Sequence, residues 1–130
     1  MHLFVYGVLQ EGLGDWPFLA GLGPGRPATA TGALFAIADP HGWYPALVPG
    51  ESTVVGTLHD ARGVDLAAVD AFEGADYIRR SIPVRCAGET LVAEAYLWAG
   101  ALLPGAPQIV HGDFARWLAE TGHPPFGKHP

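Results

Sequence analysis

The chain has 130 residues, nearly half of them apolar, so one ordinary domain can bury a core without metal or disulfide staples. Its formal charge is −6, and its few basic residues are scattered apart from the pair Arg79-Arg80, which argues against a nucleic-acid surface and against an anionic membrane surface. A single cysteine, Cys86, rules out an internal disulfide and reads as a small core residue within an apolar, alternating stretch.

The first residues, Met-His-Leu-Phe-Val-Tyr-Gly, carry no basic stretch, and the apolar run is too short for a signal peptide or a membrane span. A reduced, cytoplasmic location is the expectation. Residues 3–9 are apolar on both alternating faces, the pattern of a strand buried on both sides of a sheet. Residues 10–27 are rich in Gly and Pro and read as loop, with room for a short helical turn around Trp16 to Leu22. A strand is expected over 28–37, an extended piece over 42–48 after a turn at Asp39-Pro40, and a β-branched strand over 53–59. Asp65 as N-cap and Gly74 as terminator frame a helix over 65–73. Strands over 77–86 and 90–98, joined at Ala87-Gly88-Glu89, form a hairpin. A second helix spans 113–121, between Asp113 as N-cap and Gly122. The Pro-rich residues 123–130 cannot continue that helix and are expected to trail over the surface, with covering the site, docking onto a neighbour and disorder as the alternatives. The organisation is thus a domain over 1–122 and a tail over 123–130. Its class is α+β, with two helices and a mixed sheet able to curl into a small barrel.

One residue breaks the hydrophobic pattern. With a turn of about 100° per residue, Leu66 at zero puts Val69 near 300°, Phe72 near 240° and Glu73 near 340°. A carboxylate therefore sits on the face that points at the core. On the second helix Phe114, Trp117 and Leu118 make the stripe, and Glu120 lands at its flank. Glu73 also lies in the last helical turn, at the negative end of the macrodipole. Desolvation and dipole both favour its neutral form and raise its pKa above the usual value of about 4.3, which suits general acid/base work. The competing reading pairs Glu73 with Arg79 or Arg80, or lets it reach water past the helix end.

His2, His41, His59, His111, His123 and His129 lack metal-ligand spacing and read as surface or edge residues. No Ser-centred nucleophile elbow, P-loop or dinucleotide fingerprint is present, and no metal or cofactor is expected.

Six stretches, in order over residues 3–120, resemble the γ-glutamylcyclotransferase/AIG2-like superfamily. Tyr6-Gly7-Val8-Leu9 is similar to its YGxL signature, Tyr44-Pro45-Ala46-Leu47 to YPAL, and Val55-Gly56-Thr57-Leu58 to its VxGxLY strand. Val69-Asp70-Ala71-Phe72-Glu73-Gly74 with Tyr77-Ile78-Arg79-Arg80 is similar to LDxxEG…YxR. Ala95-Tyr96 resembles the last-strand element, and Ile109-Val110-His111-Gly112-Asp113-Phe114 the start of the final helix.

The resemblance implies a mixed five- or six-stranded barrel with packed helices. It also implies a cofactor-free enzyme with a small-molecule γ-glutamyl substrate, in which the α-amine attacks the γ-carbonyl to give 5-oxoproline and release an amine or amino acid. Glu73 occupies the position of the catalytic acid/base, and Tyr6, Gly7, Val8 and Leu9 that of the γ-glutamyl cradle. The usual small hydroxyl residue of that signature is replaced by Val8, which keeps backbone donation and loses a side-chain hydrogen bond. Tyr77 is expected near Glu73 with its hydroxyl at the pocket edge, and Trp43 and Tyr44 near the mouth. Two other readings stand beside this one: removal of a γ-glutamyl protecting group from a biosynthetic intermediate, and a non-enzymatic binding or interaction domain on the same barrel. The leaving group and the oligomeric state are not written in the sequence. Specificity is assigned to loops 10–27, 39–52 and 99–110.

Overall fold

A computed structural model of the chain describes residues 1–10 and 16–127. Five strands, β1 (His2–Val5), β2 (Arg26–Asp39), β3 (Gly42–Asp60), β4 (Tyr77–Cys86) and β5 (Glu89–Trp98), close a barrel in the order β1-β3-β2-β4-β5. The sheet is mixed: β1 runs parallel to β5, and the other pairings are antiparallel. Helix α1 (Leu66–Glu73) links β3 to β4, α2 (Phe114–Thr121) follows β5, and a short 3₁₀ turn covers Pro17–Leu19. The expected class, a small mixed barrel with two packed helices, is the one observed.

Several boundaries differ, for physical reasons. The first strand stops at Val5, and residues 6–9 turn away with Gln10 N–H donating to Gly7 O at 3.1 Å. Val8 and Leu9 are nonetheless buried, so their apolar character reports burial and not strand. The two stretches over 42–48 and 53–59 belong to one long strand, paired with β2 on both sides of a register shift at Gly32/Ala33. Of the loop expected over 10–27, residues 11–15 lie outside the described residues.

Small side chains let the barrel close tightly. Ala28, Ala30, Ala36, Ala93 and Ala95 are buried along β2 and β5, and Phe4, Leu34, Val54 and Leu58 fill the remaining space. A Cβ at Gly56 would lie 2.4 Å from the Val5 carbonyl and 2.9 Å from the Phe4 ring. Cys86 is a buried free thiol. His59 is a correction to the reading of all histidines as surface or edge residues. It is 2% exposed, with Nδ1 2.7 Å from Gly23 O and Nε2 2.9 Å from Thr57 Oγ1. Both ring nitrogens have partners, which is what permits an imidazole inside.

Both helices are framed as their caps dictate. The Asp65 carboxylate accepts from Ala67 N–H at 3.0 Å, and Asp113 accepts from Arg116 N–H at 3.1 Å. Gly74 and Gly122 end them at positive φ.

The described part of the tail does not trail. Trp43 N–H donates to Pro124 O at 2.9 Å, Phe126 N–H to Trp43 O at 2.6 Å, and Gly127 N–H to His41 O at 3.2 Å. Prolines offer carbonyl acceptors without donors, and Phe126 and Gly127 supply the N–H groups. The chain thereby straps itself onto the start of β3.

Gly112 anchors the approach to α2. It sits at φ +74°, its carbonyl accepts from Val55 N–H at 2.8 Å, and a Cβ there would lie 1.8 Å from Thr53 O. Gly112→Ala is expected to cost at least about 1–3 kcal/mol in urea denaturation. Gly88→Ala, at φ +80° in open space, is expected to cost less, about 1 kcal/mol.

Candidate functional site

A cavity of about 180 Å³ opens where β1, α1, β3, β5 and the tail meet. The last residues of β1 and the following turn, Phe4–Leu9, form one wall. The C-terminal end of α1 supplies Phe72 and Glu73. Tyr44 and Pro45 of β3, Tyr77 of β4, and Tyr96 and Trp98 of β5 form the opposite side. Asp39, Asp76 and Phe126 complete the lining. All six residues singled out in the sequence, Tyr6, Gly7, Val8, Leu9, Glu73 and Tyr77, thus border one space.

Glu73 is mostly buried, and its pKa is raised from 4.5 to about 7 by desolvation. Neither arginine neutralises it. Arg79 is engaged with Asp70, at 2.9 Å from Nε to Oδ1, and with Glu94, at 3.0 Å from Nη1 to Oε1. Arg80 is exposed. Among the described residues, no hydrogen-bond donor reaches the Glu73 carboxylate.

Three phenols feel its charge. Burial and the nearby Glu73 carboxylate both push Tyr6 and Tyr77 above the usual phenol range. Tyr96 is raised by burial, by its bond to Asp70 and, in smaller part, by Glu73. Their protons are committed elsewhere. Tyr6 O–H donates to Tyr96 O, Tyr77 O–H to Pro45 O at 2.5 Å, and Tyr96 O–H to Asp70 Oδ1 at 2.6 Å. The Tyr77 hydroxyl therefore ties β4 to β3 at the cavity wall, where both residues lie.

The turn after β1 is held through its carbonyls: Gly7 O accepts from Gln10 N–H, and Val8 O accepts from Trp16 Nε1 at 3.1 Å. A Cβ at Gly7 would lie 2.7 Å from Pro45 Cγ, so glycine is required there by packing alone. The Val8 side chain is buried and offers no polar group.

Sequence reasoning missed Asp70, Tyr96, Pro45 and Phe126. Asp70 lies three residues before Glu73 on α1, the spacing that places two side chains on adjacent rows of one helix face. That spacing, with Arg79 on the next strand, was the available signal. Phe126 carried a weaker one, a lone aromatic within a Pro- and Gly-rich tail. Among the described residues no group of three His, Cys, Asp or Glu is placed to hold a metal ion. Among them, no helix is long and apolar enough to cross a membrane.

A closed mixed barrel with a buried carboxylate at the mouth of an adjacent turn defines a recognisable class. The family model for Gamma-glutamyl cyclotransferase, AIG2-like, matches residues 3–116, and the chain belongs to that family. The crystal structure of YkqA from Bacillus subtilis superposes with a TM-score of 0.71 and 21% identity over 93% of this chain. That match covers 42% of YkqA, so the chain spans less than half the length of that relative. An AIG2-like protein from Mus musculus gives a TM-score of 0.65 and 23% identity, with 87% of this chain and 86% of that one covered. The ytfP protein of Escherichia coli gives a TM-score of 0.58 and 25% identity, covering 87% and 95% respectively. No curated protein matches.

The Glu73 shift has a consequence for stability. Between about pH 4.5 and pH 7 the folded chain holds a proton on Glu73 that the unfolded chain releases. Its contribution to stability therefore falls as pH rises through that window. Glu73→Gln is expected to flatten the dependence, gaining on wild type by about 3 kcal/mol between pH 4.5 and pH 8 in paired denaturation curves.

Proposed function

We propose that the protein cyclises a γ-glutamyl group to 5-oxoproline, releasing the attached amine, with Glu73 as general acid and base. One observation carries the reading: a mostly buried, unpaired carboxylate with a pKa of about 7 borders the same cavity as the Tyr6–Leu9 turn.

The γ-glutamyl unit holds its own nucleophile. Glu73, as carboxylate, takes a proton from the α-ammonium, and the freed amine attacks the γ-carbonyl carbon. A C–N bond closes the five-membered ring, protonated Glu73 delivers its proton to the leaving nitrogen, and the bond to that nitrogen breaks. The ring nitrogen gives its second proton to the Glu73 carboxylate, which leaves the neutral lactam, the free amine and a protonated Glu73. A pKa near the working pH serves both halves. The loop acts through its backbone: the N–H groups of Gly7, Val8 and Leu9 are the donors we assign to the γ-carbonyl oxygen or the α-carboxylate. Val8 in the signature is compatible with this role, because no side-chain donor is required. Holding the folded substrate conformer supplies several kcal/mol of the barrier, the scale seen for well-oriented intramolecular reactions.

A panel of γ-glutamyl dipeptides and γ-glutamyl amines, with 5-oxoproline followed by mass spectrometry, tests the reading. Wild type is expected to release 5-oxoproline, and Glu73→Gln to lose about 10²–10⁴-fold in rate while remaining folded. The wild-type rate is expected to fall on the acid side of about pH 7 as Glu73 is protonated. Equal release by both proteins would mean that another group is the base.

A further inference from the structure

We propose that the C-terminal strap builds the leaving-group side of this cavity, with Phe126 setting a preference for leaving amines that carry a second positive charge. The inference rests on the cyclotransferase reading and specifies the half of the substrate that reading leaves open.

The family match ends at residue 116, so Phe126 lies outside it. Its backbone is fixed on both sides of the ring: Phe126 N–H donates to Trp43 O at 2.6 Å and Gly127 N–H to His41 O at 3.2 Å. Glycine at position 42 is what allows this approach, since a Cβ there would lie 2.4 Å from Pro125 O. The strap thus holds an aromatic ring in the cavity wall.

That ring extends a run of aromatic contacts. Phe126 meets Tyr44 at 5.8 Å between centroids and Phe72 at 6.3 Å; Tyr44 meets Trp98 at 6.0 Å, and Trp98 meets Tyr77 at 5.2 Å. All five line the cavity. Aromatic faces carry negative quadrupole density and attract ammonium groups. Asp39 and Asp76 line the same space, and both raise the Tyr44 phenol pKa after burial has done so, which places their charges near that ring. Asp39 is braced there by His41, whose backbone N–H lies 2.9 Å and whose ring Nδ1 lies 3.2 Å from Oδ1, and whose ring packs edge-on against Phe126 just behind the lining. Among the described residues, none of those that line the cavity is Lys, Arg or His. A leaving amino acid would bring a carboxylate toward Asp39 and Asp76, where the described lining offers it no cation. A diamine, protonated at its far nitrogen, meets aromatic faces and carboxylates.

Three γ-glutamyl amides of similar length separate the cases: 4-aminobutyl (cationic), pentyl (neutral) and 3-carboxypropyl (anionic). Wild type is expected to favour the cationic amide over the neutral one roughly tenfold in kcat/KM, with the anionic one poorest. Phe126→Leu keeps apolar bulk without the π face and is expected to cut the cationic-to-neutral ratio to below about threefold. Phe126→Ala is expected to do the same, with thermal unfolding confirming that both variants are folded. No cationic preference in wild type, or full preference retained in Phe126→Leu, overturns the proposal. Should wild type release 5-oxoproline from none of the three, the cyclotransferase reading falls. Binding of the same amides, followed by tryptophan fluorescence, then decides this one: tightest binding of the cationic amide, weakened in Phe126→Leu, supports it, and equal affinities overturn it.

Discussion

Arg79 is gripped by Asp70 and Glu94, and that grip decides what Glu73 can be. The guanidinium meets both Asp70 oxygens, at 2.9 and 3.3 Å, and one Glu94 oxygen at 3.0 Å; Ser81 holds the other oxygen of Glu94. The network clamps α1 to the β4–β5 hairpin and engages Arg79, one of the two arginines that could have paired with Glu73. One turn further along the helix, Glu73 is left among phenols whose protons already serve Tyr96 O, Pro45 O and Asp70. A paired Glu73 would be stabilised as a carboxylate and would have a low pKa. Left unpaired and desolvated, it sits at about 7, within reach of either protonation state.

The barrel supplies the rest of the geometry through one proline. Pro45 presents its ring to Gly7, its carbonyl to Tyr77 and a face to the cavity. It thereby fixes the distance between the turn after β1 and the strand opposite. The end of β1 at Val5 matters equally. Had the strand continued to Leu9, its amides would be drawn into the sheet ladder and lost to a ligand.

What was legible in the sequence follows the range of the forces involved. Helix ends were readable because Asp65, Gly74, Asp113 and Gly122 act on their own neighbours in the chain. Glu73 was readable because a helical period converts spacing into direction. The Asp70–Arg79–Glu94 network and the Tyr96 hydroxyl were not, since their partners meet only after the barrel closes. His59 was misread because a histidine within a strand gives no sign of a carbonyl thirty-six residues away, at Gly23. The strap was only one of several readings of the tail, because prolines announce the end of a helix and give no sign of which N–H their carbonyls will accept from.

The two halves of the cavity are coupled through charge as well as shape. Phe126 touches Phe72, the residue before Glu73, so the strap shares in the dryness that raises the Glu73 pKa. A cation held against these aromatic rings would act in the opposite sense, because an opposite charge favours the carboxylate. In the proposed reaction, a cationic substrate would therefore bias Glu73 toward the form that accepts the α-ammonium proton. Once Glu73 is protonated and the amine departs, the second charge departs with it, and desolvation again dominates. A neutral leaving amine would forgo the first of these effects, so the selectivity of the strap and the proton chemistry of α1 act on the same equilibrium.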